Sequence, residues 1–140
     1  GPYGYCADIS RAFVCGNKFN EHQKKIYSTA VEQIDYNSRL IKDGVSFREF
    51  TEKAWILPEK YYGNRYSVML HGIGLCDEWP AIRYPTDGGE RSGIFQKNMT
   101  ITLESYIGEV GGHEGVKLEQ QYLVGENGLE LMSHHPLEQI

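Results

Sequence analysis

The chain has 140 residues, of which 40% are hydrophobic, and this is enough for one domain with its own core. Its formal net charge is −5, and no basic cluster is longer than the pair Lys24 and Lys25, which argues against nucleic acid as a partner. The sequence lacks a run of about 18 apolar residues, so no membrane span is expected.

The three cysteines, Cys6, Cys15 and Cys76, are an odd number without CxxC spacing. This disfavours a disulfide framework and a zinc knuckle, so we expect buried free thiols in a reducing, cytoplasmic compartment. The chain opens with Gly1 rather than with an initiating methionine, and no targeting signal is visible. We therefore expect the sequence to be a fragment of a longer polypeptide.

The N-terminal part of the chain is predicted to contain a strand and a long helix. Residues 3–14 are rich in aromatic and β-branched side chains and are predicted to form one strand of a hairpin. Residues 20–41 are predicted to be helical, with Asn20 as N-cap, because apolar side chains recur near the helical period. Gly44 supplies the stop.

A second, shorter helix is predicted from the capping-box pair Ser46 and Glu49. Pro58 is expected to end this helical region, and residues 59–66 are expected to form a polar and aromatic connection. The predicted buried face of the second helix is Phe47, Phe50 and Ala54.

The C-terminal half is predicted to be a set of antiparallel strands. Residues 67–70 are expected to form a short buried strand, residues 81–97 a long loop, and residues 134–140 a surface extension. Three further strands are predicted at residues 99–104, 115–124 and 129–133. A tight turn at residues 125–128 separates the last two of them. Helices grouped beside a hairpin-rich sheet predict the α+β class rather than a doubly wound parallel fold.

One histidine and three carboxylates are candidates for a divalent metal site. Asp8 lies in an apolar segment, where a carboxylate is costly unless it binds a metal or pairs with a cation; a salt bridge to Arg11 is the alternative. His71 precedes Gly72 and Gly74, which allow a close backbone approach. A lone histidine of this kind is nevertheless more often a satisfied core residue.

The other two candidates are glutamates in predicted strands. Glu104 ends the strand at 99–104, and alternation in the next strand places Lys117 and Glu119 on the same face. Exposed strand carboxylates are common, so each glutamate alone is weak evidence. Together with His71 and Asp8, they offer a set that hard or borderline divalent ions accept, and a bridging carboxylate could join two ions.

Four motifs in the chain carry a family resemblance. They are Gly-Tyr-Cys-Ala-Asp-Ile-Ser-Arg-Ala-Phe around Asp8, His-Gly-Ile-Gly-Leu from His71, Thr-Leu-Glu ending at Glu104, and Gly-Val-Lys-Leu-Glu ending at Glu119. Their order and separation resemble the C-terminal part of the pita-bread fold of creatinases, aminopeptidase P, prolidase and methionine aminopeptidases. The resemblance implies that residues 1–140 are the C-terminal portion of one pita-bread catalytic domain, with a curved antiparallel sheet and helices on its outer face. The N-terminal domain and the first metal-ligand strand would then lie outside the sequence.

The resemblance also implies a ligand set. In this superfamily two aspartates, one histidine and two glutamates hold the metals; Asp8 matches the second aspartate, and His71, Glu104 and Glu119 match the histidine and glutamates. The first aspartate has no match. The implied cofactor is a pair of divalent ions, with iron favoured and zinc, manganese or cobalt as alternatives. A homodimer of the full-length protein and a small-molecule substrate are also implied.

Two departures from the peptidase pattern are informative. Peptidases of the superfamily usually read His-Gly-x-Gly-Leu-x-x-His-Glu-x-Pro, whereas residues 76–80 here read Cys-Asp-Glu-Trp-Pro, with Asp77 where the second histidine is expected. Peptidases also usually have Glu-Pro-Gly where residues 104–106 read Glu-Ser-Tyr. The opening motif and the loop at 76–80 are instead similar to those of the dimethylsulfoniopropionate (DMSP) lyases of the DddP type.

The lyase resemblance implies β-elimination, in which a base removes the proton α to the substrate carboxylate and dimethyl sulfide leaves, giving acrylate. Asp77 is the predicted base, with a structural loop cap as its alternative role. Tyr66 and, more weakly, Trp79 are the predicted aromatic contacts of the sulfonium. Two other functions stay open: an Xaa-Pro metallopeptidase in which His113 replaces the missing histidine, and a catalytically inactive pita-bread binding module.

Overall fold

The computed structural model describes residues 1–16, 18–75, 78–88 and 92–137. Over these residues the fold is α+β, as predicted, and none of its helices is long and apolar enough to cross a membrane. The elements in chain order are a 3₁₀ helix at Pro2–Gly4, then α1 Glu21–Ser38, α2 Phe47–Lys53, α3 Glu59–Tyr62, β1 Val68–Gly72, β2 Ala81–Arg83, β3 Thr100–Gly108, β4 Gly115–Val124 and β5 Leu129–Leu131.

Helix α1 confirms the prediction of a long helix capped by Asn20. The Asn20 side chain accepts a hydrogen bond from the Gln23 amide, and the Gln23 side chain accepts one from the Asn20 amide, so both halves of a capping box are present. The helix ends at Ser38 rather than at 41. Its apolar stripe is buried against β3 and β4 and consists of Ile26, Tyr27, Ala30 and Ile34.

The two short helices, α2 and α3, agree only in part with the prediction from the sequence. Ser46 caps α2 by accepting a hydrogen bond of 3.0 Å from the Glu49 amide, as predicted. Pro58 does not end α2, which stops at Lys53, but precedes α3. The prediction that residues 59–66 are a plain connection is therefore wrong. Pro58 is the N-cap of α3, and a proline is tolerated there because the helix needs no hydrogen bond from its N–H.

The five strands form one antiparallel sheet in the order β2-β1-β3-β4-β5. Strand β4 has the predicted bounds, but β3 continues to Gly108, so Glu104 lies within a strand rather than at its end. The predicted loop at 81–97 is wrong at β2, which pairs with β1 and is too short for a sequence pattern to reveal.

The expected strand at residues 3–14 is wrong. This segment is extended but joins the sheet through a single bridge, in which Ser10 and Glu119 exchange both backbone hydrogen bonds. Its aromatic residues raise β propensity, yet Tyr3 and Phe13 are exposed rather than packed. β propensity mainly reflects packing against neighbours, so it does not create a ladder by itself.

Two free cysteines are described, and they are not buried as expected. Cys15 is exposed and Cys6 is partly exposed. Their positions in the N-terminal segment explain the difference, because that segment contributes little to the core. Cys76 lies outside the described residues.

The register of the sheet sorts side chains onto two faces. His71 is opposite Thr102, and Glu104 is opposite Glu119, so these residues project from one face. The other face packs against α1 and is apolar; its buried residues include Leu103, Ile107, Val116 and Leu118. The candidate metal ligands therefore lie on the face opposite the helix.

Candidate metal centre

The imidazole of His71 is the centre of the cluster on this polar face. Its Nε2 atom lies 3.3 Å from Glu104 Oε1, 3.5 Å from Glu119 Oε1 and 3.8 Å from Asp8 Oδ2. The ligand atoms of Asp8, His71 and Glu119 all lie within 4.8 Å of one another. Four residues that are far apart in sequence thus converge on a volume that one or two cations could fill.

Asp8 reaches the cluster because several hydrogen bonds fix the segment around it. Its amide donates to the Gln121 side chain at 3.3 Å, and its carbonyl accepts from the Thr102 hydroxyl at 3.3 Å. The amide of Cys6 donates to the carbonyl of Gly74 at 2.8 Å. The alternative of an Asp8 salt bridge to Arg11 is not supported, because the Arg11 guanidinium is directed to backbone carbonyls and to Gln120.

His71 is oriented by its own strand. Its Nδ1 lies 3.0 Å from the carbonyl oxygen of Gly72, so a proton there is donated to that carbonyl and Nε2 is turned to the carboxylates. Gly72 is required at its position, because a Cβ there would collide with the carbonyl of Trp79. This agrees with the prediction that glycine after His71 permits a close backbone approach.

The two glutamates are almost completely removed from solvent. The side chain of Glu104 is 1% exposed and that of Glu119 is 0% exposed. Glu104 Oε1, Glu104 Oε2 and Glu119 Oε1 contact charged nitrogens, but within the described residues they accept no well-aligned hydrogen bond. Buried carboxylate oxygens without aligned hydrogen bonds are costly, and direct bonds to a metal ion would satisfy them. The donor set of one imidazole and three carboxylates therefore fits a divalent metal.

The environment of His71 favours the charged imidazole. Burial by itself lowers the pKa of His71, but the close carboxylates of Glu104 and Glu119 and the hydrogen bond to the Gly72 carbonyl outweigh it and raise the pKa to about 10. The imidazole therefore carries a proton at neutral pH, and any metal that binds Nε2 must displace that proton.

The pKa values of Asp8 and Glu119 are shifted in opposite directions. Burial raises the pKa of Asp8, and the negative charge of Glu119 adds to the effect. Burial also raises the pKa of Glu119, but the nearby imidazole of His71, the hydrogen bond from Ser10 and the charge of Lys117 outweigh it, so the pKa of Glu119 lies below its usual range. The site thus keeps Glu119 ionised and makes Asp8 harder to ionise.

Lys117 and Ser10 belong to the site, although no function was predicted for either. Lys117 Nζ lies 2.8 Å from Glu104 Oε2 and 3.4 Å from Glu119 Oε2. The Ser10 hydroxyl donates to Glu119 Oε2 at 2.9 Å. The alternation in β4 did place Lys117 on the face of Glu119, but the Ser10 contact depends on a bridge that has no local sequence signal.

The predicted substrate residues differ in their placement. Tyr66 lies at the rim of the cluster, with the ammonium of Lys117 4.8 Å from its ring centroid. Trp79 is 61% exposed and lines a surface groove with Pro80 and Met99. The predicted base, Asp77, lies outside the described residues.

Taken together, these features define a class of protein. An open antiparallel sheet with a helix on one face and a buried histidine–carboxylate cluster on the other is the architecture of pita-bread, metal-dependent enzymes. The model of one family, metallopeptidase family M24, matches residues 1–126. The chain belongs to this family, whose enzymes depend on divalent metals.

Curated and solved relatives agree with this assignment. The chain is 35% identical to the dimethylsulfoniopropionate lyase DddP of Roseobacter denitrificans and 34% identical to that of Roseovarius nubinhibens, with 99% of this chain covered in both. It also resembles the crystal structure of a prolidase from Pyrococcus horikoshii OT3, with a TM-score of 0.80, 28% identity and 98% of this chain covered. The chain spans 32% of each of the two lyases and 38% of the prolidase.

Proposed function

We propose that this chain forms the C-terminal portion of the catalytic domain of a metal-dependent lyase, which cleaves DMSP to dimethyl sulfide and acrylate. The convergence of Asp8, Glu104 and Glu119 on the imidazole of His71 is the observation that carries the proposal. The similarity to the two DddP lyases over 99% of this chain supports the lyase reaction over others of the same family.

Asp8, His71, Glu104 and Glu119 would hold the metal in this proposal. We infer two divalent ions, with iron favoured and zinc, manganese or cobalt as alternatives, and a homodimeric full-length protein. When bound, such ions supply Lewis-acid polarisation of the substrate carboxylate, which makes the adjacent C–H group more acidic.

The remaining chemistry falls to side chains of this chain. Asp77 would remove the proton from the carbon α to the carboxylate, the electron pair would form the carbon–carbon double bond, and the carbon–sulfur bond would break to release dimethyl sulfide. Tyr66 would stabilise the sulfonium by cation–π contact. Its contact with the ammonium of Lys117 supports this role, since the ring already contacts a cation. Trp79 is the weaker candidate for the same function.

The direct test supplies the full-length, metal-loaded protein with DMSP and, separately, with an Xaa-Pro dipeptide. We expect headspace gas chromatography to detect dimethyl sulfide and amino-acid analysis to detect no free proline. Release of proline without dimethyl sulfide would refute the lyase proposal and support the hydrolase.

The alternative function, an Xaa-Pro hydrolase, has one specific observation in its favour. The chain resembles a solved prolidase at a TM-score of 0.80. A substitute for the second histidine of the peptidases is harder to find: His113 lies in the β3–β4 connection, beyond the Gly108 and Gly115 pair, which is four register steps from Glu104 and Glu119. At about 3.3 Å per residue, this puts His113 roughly 13 Å or more along the strands from the cluster. An inactive binding module is disfavoured by the cost of the buried carboxylates.

Metal binding is expected to release protons and to strengthen as pH rises. Because the pKa of His71 is raised to about 10, its imidazole is protonated at pH 7, and each ion bound to Nε2 must expel that proton. Below the pKa of His71, the loss of this one proton should therefore raise the metal affinity by about tenfold for each pH unit. Calorimetric titration of the full-length protein in two buffers of different ionisation enthalpy measures the released protons. The control variant His134→Gln, at an exposed histidine, should release as many protons as the wild-type protein. Binding heats that do not depend on the buffer would contradict the assignment of His71 as a ligand.

A further inference from the structure

Arg11 makes an unusual set of contacts next to the metal cluster. All three guanidinium nitrogens donate hydrogen bonds, and most of the acceptors are backbone carbonyls. The bonds run from Nη1 to Ser10 O at 2.9 Å and Glu119 O at 2.6 Å, from Nη2 to Gln120 Oε1 at 2.6 Å, and from Nε to His135 O at 3.2 Å and Pro136 O at 3.1 Å. Arg11 thus connects the N-terminal segment with β4 and with residues 135 and 136.

Two of these acceptors are the carbonyl oxygens of the bridge that joins the N-terminal segment to the sheet. Ser10 and Glu119 exchange backbone hydrogen bonds of 3.3 and 3.1 Å, and Arg11 donates to the carbonyl of each. This bridge lacks the successive ladder bonds of a regular strand pair, and the segment's other hydrogen bonds, at Cys6 and Asp8, lie on one side of it. The guanidinium reinforces it with charge-assisted bonds, which are stronger than neutral ones.

The same bridge determines the spacing of two proposed metal ligands. Glu119 is one member of the bridge, and Asp8 lies two residues before the other member, Ser10. The Ser10 hydroxyl also donates to Glu119 Oε2 at 2.9 Å, so a shift of Ser10 would disturb that carboxylate as well. Asp8 is the one of the four proposed ligands that lies outside the regular strands, so its position depends on the contacts of the N-terminal segment.

The planar guanidinium is suited to this position in a way that lysine is not. Its N–H groups point in fixed directions in one plane and can serve acceptors on three chain segments together, whereas an ammonium is a point donor on a flexible stem. The contacts to His135 and Pro136 also show that the expected surface extension at 134–140 is, at these two residues, held against the sheet.

We propose that Arg11 is a positioning residue of the metal centre, which holds Asp8 and Glu119 at metal-binding distance by locking the bridge between Ser10 and Glu119. This inference rests on the proposed metal site and not on the identity of the reaction. Partners that orient metal ligands without touching the metal typically change affinity by about 10- to 100-fold when they are removed.

The test uses the full-length protein with Arg11→Gln and Arg11→Lys, and with Arg39→Gln as the matched control. Arg39 is an exposed arginine that pairs with the exposed Asp35 at the end of α1. Cobalt(II) affinity is measured by competition with a chelator, the ligand geometry by the visible absorption of bound cobalt(II), and stability by thermal unfolding with excess chelator.

We expect Arg11→Gln to weaken cobalt(II) binding by about tenfold or more and to shift the visible bands, with Arg11→Lys in between and Arg39→Gln unchanged. A purely structural role would lower the unfolding temperature but leave the affinity and spectrum of the folded protein unchanged, and that result would overturn the inference. If the wild-type protein binds no cobalt(II), the metal site and the role of Arg11 both fail. If it binds cobalt(II) and Arg11→Gln binds it equally, only the role of Arg11 fails.

A second variant covers the case in which Arg11→Gln does not fold. Gln120→Leu removes one acceptor of the guanidinium, at 2.6 Å, and leaves the arginine in place. The loss of one hydrogen bond to a charged group predicts a weakening of cobalt(II) binding by about threefold or more. Affinity and spectrum identical to the wild type would count against the proposal.

Discussion

Glu119→Gln is expected to abolish lyase activity, with a loss on the order of 10³-fold, because a metal held in place lowers the reaction barrier by several kcal/mol. Glu119 is completely buried, and its carboxylate lies close to Asp8, His71 and Lys117, so it is the proposed ligand at the centre of the cluster. Glutamine has almost the same shape but lacks the negative charge. Metal content after dialysis and the rate of dimethyl sulfide release from the full-length protein measure the two effects.

The matched control for this substitution is Glu130→Gln. Glu130 lies on β5, the next strand of the same sheet, but its side chain is exposed and distant from the cluster by the register of the sheet. It should retain metal and activity within about twofold, since surface substitutions rarely change stability by more than about 0.5 kcal/mol. Equal metal content in the two variants would show that Glu119 is not a ligand.

Features that depend on local chemistry were predictable from the sequence. Helix α1 follows from the N-cap Asn20 and its apolar stripe, and β4 follows from the alternation at residues 116–119 together with the turn at 125–128. Asp8 stood out because a carboxylate in an apolar segment is costly unless it has a partner, whereas His71 and the two glutamates were each weak evidence alone. Their convergence required the family resemblance, since no residue spacing reveals that Asp8 lies beside Glu119.

Features that depend on distant partners were not predictable. The segment at 3–14 has the composition of a strand, but the sheet offers it one bridge, at Glu119, and leaves its aromatic residues exposed. Arg11 had an obvious acidic neighbour in Asp8, yet its guanidinium is directed to residues more than a hundred positions away in sequence. Tertiary contacts decide such cases, because local propensity is worth only a fraction of the packing energy.

Asp77→Asn is expected to lower kcat for DMSP by about 10²- to 10⁴-fold, the usual range for removal of a general base, while metal affinity stays close to that of the wild type. Loss of activity with the metal retained distinguishes a general base from a metal ligand, because the ligand variant Glu119→Gln should lose both metal and activity. The matched control is Asp35→Asn, since Asp35 is exposed and forms a surface ion pair with Arg39 one helical turn away. Full lyase activity in Asp77→Asn would show that another group removes the proton, even with the reaction assigned correctly. Loss of metal together with activity would instead indicate that Asp77 is a metal ligand, and a different residue would then have to be the base.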